Sequence, residues 1–355
     1  MATITPLSNP PEEAAIAKLY SVADGDALQV ASSKGCERSV QLLLEKGADV
    51  NAQGGSYGNA LYAASLNGHE KTVRLLLEKG ADINAQGGFY GNALYVTTSG
   101  SRESLVRHML ENGVDITAEG VKNSVWHRIL SRGPEINVRS GSRGNALYAA
   151  SMEGHEQIVQ LLLQNGADVN AQGGIYGNAL YAALSKGHIG VVYLLVENGA
   201  DVNTSGGHYG NPLQLASSKG LCAVIQRLLE KGADVNTQGG HYGNALQAAS
   251  SESHQQIVQL LLQKGADVNA QGGYHGNALQ AASSAGHKQI VRLLLESGAD
   301  VNAQGGQWDN VMYAAVSDGH MEIGQLLLEN GWKKLPMTTS WPVLDYFITQ
   351  LSKQA

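Results

Sequence analysis

Histidine is the residue type whose number and spacing first suggest chemistry in this chain. Six of its eleven histidines, His69, His155, His188, His254, His287 and His320, recur at one register of a repeating pattern. His208, His241 and His275 recur at another. Imidazole is the commonest metal ligand and proton shuttle. A zinc ion, however, holds its ligands at ~2.1 Å, and successive repeats packed through helices stand ~8–10 Å apart. That arithmetic excludes an ion shared between neighbours in either series. The first series is expected to be hydrogen-bonded turn residues. No histidine lies beside a serine or cysteine and an acid in a nucleophile arrangement. Asp49, Asp82, Asp115, Asp168, Asp201, Asp234, Asp267 and Asp300 also recur, with Glu135 in the same register. Such repetition marks turn chemistry, since an aspartate side chain binds backbone N–H groups just ahead of it. Cys36 and Cys222 are too few for a disulfide framework or a cysteine zinc site. The expected catalytic, metal and cofactor residues are therefore none.

What must be positioned is read from composition and period. The chain has 355 residues, 24 basic against 31 acidic, a net charge of −7 and 43 % apolar content. A nucleic-acid protein would carry a basic face; a disordered chain would lack this much apolar surface. The longest apolar run, 191–196, falls far short of the ~20 residues of a membrane span. The start, MATITPLSNPP, has no basic segment followed by an apolar one. These readings predict an intracellular chain, cytoplasmic or nuclear, with no membrane and no nucleic acid as partner. Glycine is in excess, 44 of 355 residues, where about 7 % is usual.

The excess is periodic. Gly-Asn recurs at 58, 91, 144, 177, 210, 243 and 276, with Gly25-Asp26 before and Asp309-Asn310 after. Every step is 33 residues except 91 to 144, which is 20 longer. Numbered from this glycine, the unit reads G-N-A-L-(Q/Y)-A-A-S-x-x-G-H-x-x-I-V-x-L-L-L-x-x-G-A-D-V-N-A-Q-G-G-x-Y. Asn at position 2 is a helix N-cap, and Pro212 after Asn211 suits a helix start. A short alanine-rich helix one ends at Gly68, Gly154 or Gly187 in the left-handed conformation. Helix two carries apolar residues such as Ile158, Val159, Leu161, Leu162 and Leu163, too wide a set for one stripe, and ends at Gly80, Gly166 or Gly265. A finger with a Gly-Gly turn follows. One such unit cannot bury its own apolar face, so copies must stack.

The G-H pair, the L-L-L run and G-A-D-V-N-A, as in Gly166-Ala167-Asp168-Val169-Asn170-Ala171, resemble the ankyrin repeat. Asn-Ala-Leu-Gln or Asn-Ala-Leu-Tyr replaces the usual T-P-L-H. With Gly-Gly-x-Tyr-Gly-Asn-Ala-Leu, this variant is similar to arrays of filamentous fungi, where they often follow a NACHT-type NTPase. The chain has no G-x-x-x-x-G-K-[ST] phosphate loop. The fold this implies is an all-α ankyrin-repeat solenoid of nine full repeats and one truncated unit, with a capping helix at each end. Residues 1–24 form the N-terminal arm and cap, 25–120 repeats one to three, and 121–143 the truncated unit. Repeats four to nine span 144–331, and 332–355 form the C-terminal cap. The family also implies a non-catalytic scaffold that binds a protein partner on its concave surface.

Within 121–143 an outer helix is expected but no inner one. The gap is either repacked, a bend, or a small-molecule pocket, or even an unusual active site, lined by Tyr95, Trp126, His127, Arg128, Tyr148 and Tyr181. A third reading makes the chain the sensor of a NACHT-type receptor without its NTPase. Partner contacts are expected where copies differ. The finger tips at positions 32 and 33 supply Phe89, Tyr90, Ile175, Tyr176, His208, Tyr209, His241, Tyr242, Tyr274 and Trp308. Aromatic side chains there offer rigid, amphipathic contact area.

The repeat frame makes a stability prediction. Leu162 falls in the core stripe of helix two, so Leu162→Ala costs about 2–5 kcal/mol of unfolding free energy by urea denaturation. A negligible change would mean that the frame is displaced.

Overall fold

The computed structural model describes residues 24–88, 90–117 and 144–333. These hold eighteen helices and no extended strand. The chain divides into two compact units, Met1–Ala179 and Leu180–Ala355. Both are built from the same element, an inner helix one, a tight turn, an outer helix two and a finger.

Local chemistry sets each boundary. The Asn59 side chain accepts the Tyr62 N–H at 2.7 Å, and Asn145 and Asn244 cap Tyr148 and Gln247 the same way at 2.9 and 2.8 Å. At Asn211 the cap is reciprocal: Gln214 N–H donates to it, and the Gln214 side chain accepts from the Asn211 N–H. Helix one ends at Gly68 with φ of 74° and at Gly154 with φ of 80°. Repeat one departs from the pattern, its helix starting at Asp24. The expected terminal helices, around 11–23 and from 341, lie outside the described residues.

Alanine pairs such as Ala63–Ala64, Ala149–Ala150 and Ala281–Ala282 are fully buried. They carry only a methyl group, so the inner helices approach closely. In helix two Val159 and Leu162 are fully buried and Ile158 nearly so, as the frame requires.

Two series of polar ties join one repeat to the next. The first is the position-12 histidine. Its Nε2 meets the carbonyl that ends helix one of the preceding repeat: His69 with Ser33 at 2.9 Å, His254 with Ser218 at 3.1 Å, His287 with Ser251 at 2.9 Å and His320 with Ser284 at 3.2 Å. In repeat three Arg102 stands where histidine is expected, and its guanidinium donates to the equivalent Leu66 carbonyl at 2.8 Å. The second tie is the position-27 asparagine. Asn269 donates to the Gly298 carbonyl at 3.1 Å and accepts the Asp300 N–H at 2.8 Å. Asn236 and Asn203 do the same one and two repeats earlier. Each aspartate of position 25 turns back to accept a local N–H, as Asp267 does from Asn269 at 2.9 Å, which is the expected turn role.

The irregular step between repeats three and four is closed in the described residues. Helix one of repeat three, Ala93–Ser99, packs directly on helix one of repeat four, Ala146–Glu153. Helix two of repeat three, Glu103–Glu111, likewise meets Glu156–Gln164. The His155 Nε2 reaches the Ser99 carbonyl at 3.2 Å, the same bond that joins repeats of regular spacing. Repeats three and four are therefore stacking neighbours. The truncated unit itself, 121–143, lies outside the described residues.

Asn269→Ala removes two ties between layers at an exposed site. It is expected to lower stability by about 1–2 kcal/mol, given ~0.5–1.5 kcal/mol per hydrogen bond, in urea melts with unchanged helical circular dichroism. No loss would show that water replaces the tie.

Candidate functional site: the finger edge

The fingers are built around position 5 of helix one, which is tyrosine in some repeats and glutamine in others. Each finger closes on itself, as where the Gly239 N–H donates to the Gly243 carbonyl at 2.8 Å. At Tyr62 and Tyr148 the position-5 ring is buried beneath a Gly-Gly turn and its hydroxyl accepts the position-33 N–H. Tyr62 accepts from Tyr90 at 3.0 Å and Tyr148 from Tyr176 at 3.4 Å. At Gln214 and Gln247 the amide instead ties finger roots together. Gln247 Nε2 donates to the Ala270 and Gly276 carbonyls at 3.1 and 3.3 Å, and Gln214 to Thr237 and Gly243 at 3.0 and 3.2 Å.

Within 180–355 the fingers also bond to each other. The His241 N–H donates to the His208 carbonyl at 3.0 Å, Tyr274 to His241 at 2.9 Å and Gln307 to Tyr274 at 3.2 Å. The approach leaves no room for side chains at the turn: a Cβ on Gly240 would lie 2.5 Å from the Gly210 nitrogen. The side chains then form two columns. His208 stacks on His241 with ring centroids 4.9 Å apart, and His241 on Tyr274 at 5.2 Å. Tyr209 stacks on Tyr242 at 6.1 Å. The columns meet edge to face, His208 with Tyr209 and His241 with Tyr242, both at 5.3 Å. The spacing of these histidines corrects the expectation of about 10 Å. Finger separation is set by backbone hydrogen bonding at the strand spacing of ~4.8 Å and not by helix packing.

Exposure separates the sequence-predicted contact residues. Ile175 is 68 % exposed, Tyr274 49 % and Tyr209 37 %. His208 is exposed, and His241, Tyr90, Tyr176 and Trp308 are half-buried. Tyr242 is buried and donates to the Glu252 carboxylate at 2.6 Å; burial, and then this bond, raise its pKa. Burial, reinforced by His241, lowers that of His275. Phe89 lies outside the described residues.

Three of the expected pocket residues fall among the described ones. Tyr95, Tyr148 and Tyr181 are all buried. Tyr95 is stacked on Tyr90 at 6.1 Å, and Tyr148 is occupied with its own finger. Burial pushes the Tyr148 phenol up to about 12 and raises Tyr181 as well. Trp126, His127 and Arg128 lie outside the described residues. A recess of about 250 Å³ does open between fingers, lined by Asn203, Asn211, Gln214 and Thr237, below the ~300–1,000 Å³ of ligand pockets. No group of three or more metal-ligating side chains gathers among the described residues.

Sequence reasoning missed the finger ladder, the position-5 anchors and the asparagine tie. The asparagine had a signal in its own 33-residue recurrence, at Asn203, Asn236, Asn269 and Asn302.

The profile of ankyrin repeats in three copies matches residues 13–87, 118–206, 147–239, 205–272 and 246–337. The chain belongs to the ankyrin repeat family. Ankyrin repeats are generally protein–protein interaction modules, and the family is typically non-enzymatic. A solved structure of the human ASB11 ankyrin repeat domain is similar in fold, with a TM-score of 0.53 at 21 % identity, over 68 % of this chain and 99 % of that one. A search of curated proteins finds no match. Among the described residues no helix is long and apolar enough to cross a membrane.

The buried phenol makes an alkaline prediction. An unfolded tyrosine ionises near pH 10, whereas Tyr148 holds its proton to about 12. Its contribution to stability is full below pH 10 and falls as pH rises from there to about 12, where only the unfolded state loses the proton. Tyr148→Phe should make this alkaline fall shallower in urea melts at pH 8 and 11. An identical fall in both proteins would refute the assignment.

Proposed function

We propose that this ankyrin chain is a non-catalytic scaffold that binds a protein partner through its concave surface, with the finger edge as the main contact. The observation that carries this reading is the aromatic double column in which His208, Tyr209 and Tyr274 are exposed and His241 half-buried, with Ile175 exposed on another finger. The ladder beneath these side chains fixes them before a partner arrives, so little conformational entropy remains to be lost on binding. Position 32 differs from finger to finger while the backbone beneath it repeats. That combination allows recognition to change without altering the fold. Tyr90, Tyr176 and Trp308, and by its register Phe89, extend the proposed surface, whereas the buried Tyr242 supports it from beneath. The small-molecule reading is disfavoured, because Tyr95, Tyr148 and Tyr181 are buried and repeats three and four are stacked.

The test replaces Phe89, Ile175, His208 and Tyr274 by serine, the residue that Ser56 supplies at the same register. The melting temperature and helical spectrum should stay nearly intact. A partner captured by the natural chain should bind the quadruple variant at least about tenfold more weakly by calorimetry, as loss of aromatic hot spots implies. Undiminished affinity would move the interface away from the fingers.

A further inference from the structure

We propose that His208 and His241 form a two-imidazole chelate for a late first-row divalent cation, Cu2+ or Zn2+, on the exposed finger edge. The backbone sets the register. The His241 N–H donates to the His208 carbonyl at 3.0 Å, so the two side chains leave adjacent, hydrogen-bonded fingers side by side. Their rings lie 4.9 Å apart and 25° from parallel. Metal–imidazole bonds of 2.0–2.1 Å place two nitrogens of a tetrahedral site about 3.4 Å apart. Imidazole rings turn on a broad terminal torsion, so reorienting the two rings would direct one nitrogen of each toward a shared ion without moving the backbone.

Availability distinguishes this pair from the other described histidines. His69, His155, His254, His287 and His320 commit Nε2 to a backbone carbonyl. His108 Nδ1 faces Arg74 and Asn112, and His275 Nδ1 faces Ser284. Neither His208 nor His241 has a ring hydrogen bond to any described residue. Aromatic neighbours hold both rings: Tyr274 stacks on His241 at 5.2 Å, and Tyr209 meets His208 edge-on at 5.3 Å. The site is therefore partly ordered before a metal arrives. His208 is exposed and His241 half-buried, so water or an incoming side chain can fill the remaining coordination positions. Imidazole nitrogen suits Cu2+ and Zn2+, with Cu2+ the tighter of the two. Joining two ligands on one scaffold makes the second bond intramolecular. This is a site for a metal ion alone and does not depend on the protein-binding reading.

The experiment titrates the full chain with Cu2+ by calorimetry and follows nitrogen coupling by electron paramagnetic resonance. It compares the natural chain with His208→Gln, His241→Gln, the double variant and His320→Gln. Glutamine is the natural residue of the same register at Gln307, so the fingers keep their form. One Cu2+ per chain should bind with two coupled nitrogens. Each finger substitution should weaken it at least about tenfold, and the double variant should weaken it little further. His320→Gln should bind as the natural chain does. A double variant that binds undiminished, or single losses that add as at independent sites, would overturn the chelate. Zn2+ should displace the bound Cu2+ only in excess.

Discussion

Every layer of this protein depends on its neighbour, because a unit of 33 residues cannot bury its own apolar face. The alanine stripe of one inner helix is covered only by the stripe of the next. The polar ties follow the same rule. His69, His155, His254, His287 and His320 each close the C-terminal end of an earlier helix, and asparagines such as Asn269 satisfy a carbonyl and an N–H of the layer ahead. No long-range contact has to form before these local ones are rewarded. Stability in such an array is approximately a sum of unit and nearest-neighbour terms.

The two edges of a layer obey different spacings. Helices are held apart by side chains between them, whereas fingers can approach until backbone meets backbone. In 180–355 they do so, and glycine at the turn is what permits it. The result is that residues one repeat apart in sequence become side-by-side partners. Position 5 roots the fingers in two ways. Tyr62 and Tyr148 fill the space under the turn and take the position-33 N–H, while Gln214 and Gln247 reach to carbonyls of adjacent finger roots. The distinction between Tyr148 and Gln247 is therefore a distinction between two kinds of finger, although both occupy the same turn of helix one.

The sequence made most of the fold legible because the signals were local. Asn59, Gly68 and Gly80 each fix a helix end through the conformation of one residue, and the apolar run around Leu162 marks its own buried face. The candidate surface was legible only in part. Residues at position 32 could be singled out by their variation and those at position 33 by their aromatic character, and Ile175 and Tyr274 are indeed exposed. Tyr242 could not be told from Tyr209 by type, since its burial depends on Glu252 in the following repeat. The histidine spacing was misjudged because helix packing was applied to fingers that follow strand geometry. Arg102 breaks the histidine register, yet its guanidinium reaches the carbonyl that an imidazole would. Such equivalence is invisible until the acceptor has a place in space.

The His155–Ser99 bond separates two meanings of neighbour. Along the chain these residues are 56 apart, where regular layers make the same bond across 36. In the stack they are adjacent all the same. Covalent order and stacking order can thus diverge while the interface between layers is conserved. The entropy of joining two fixed points rises only logarithmically with the length between them, by about 0.6 kcal/mol per doubling. A junction between fingers is accordingly a place where this architecture can accept foreign sequence, and so acquire a new module, without renegotiating the contacts that hold it together.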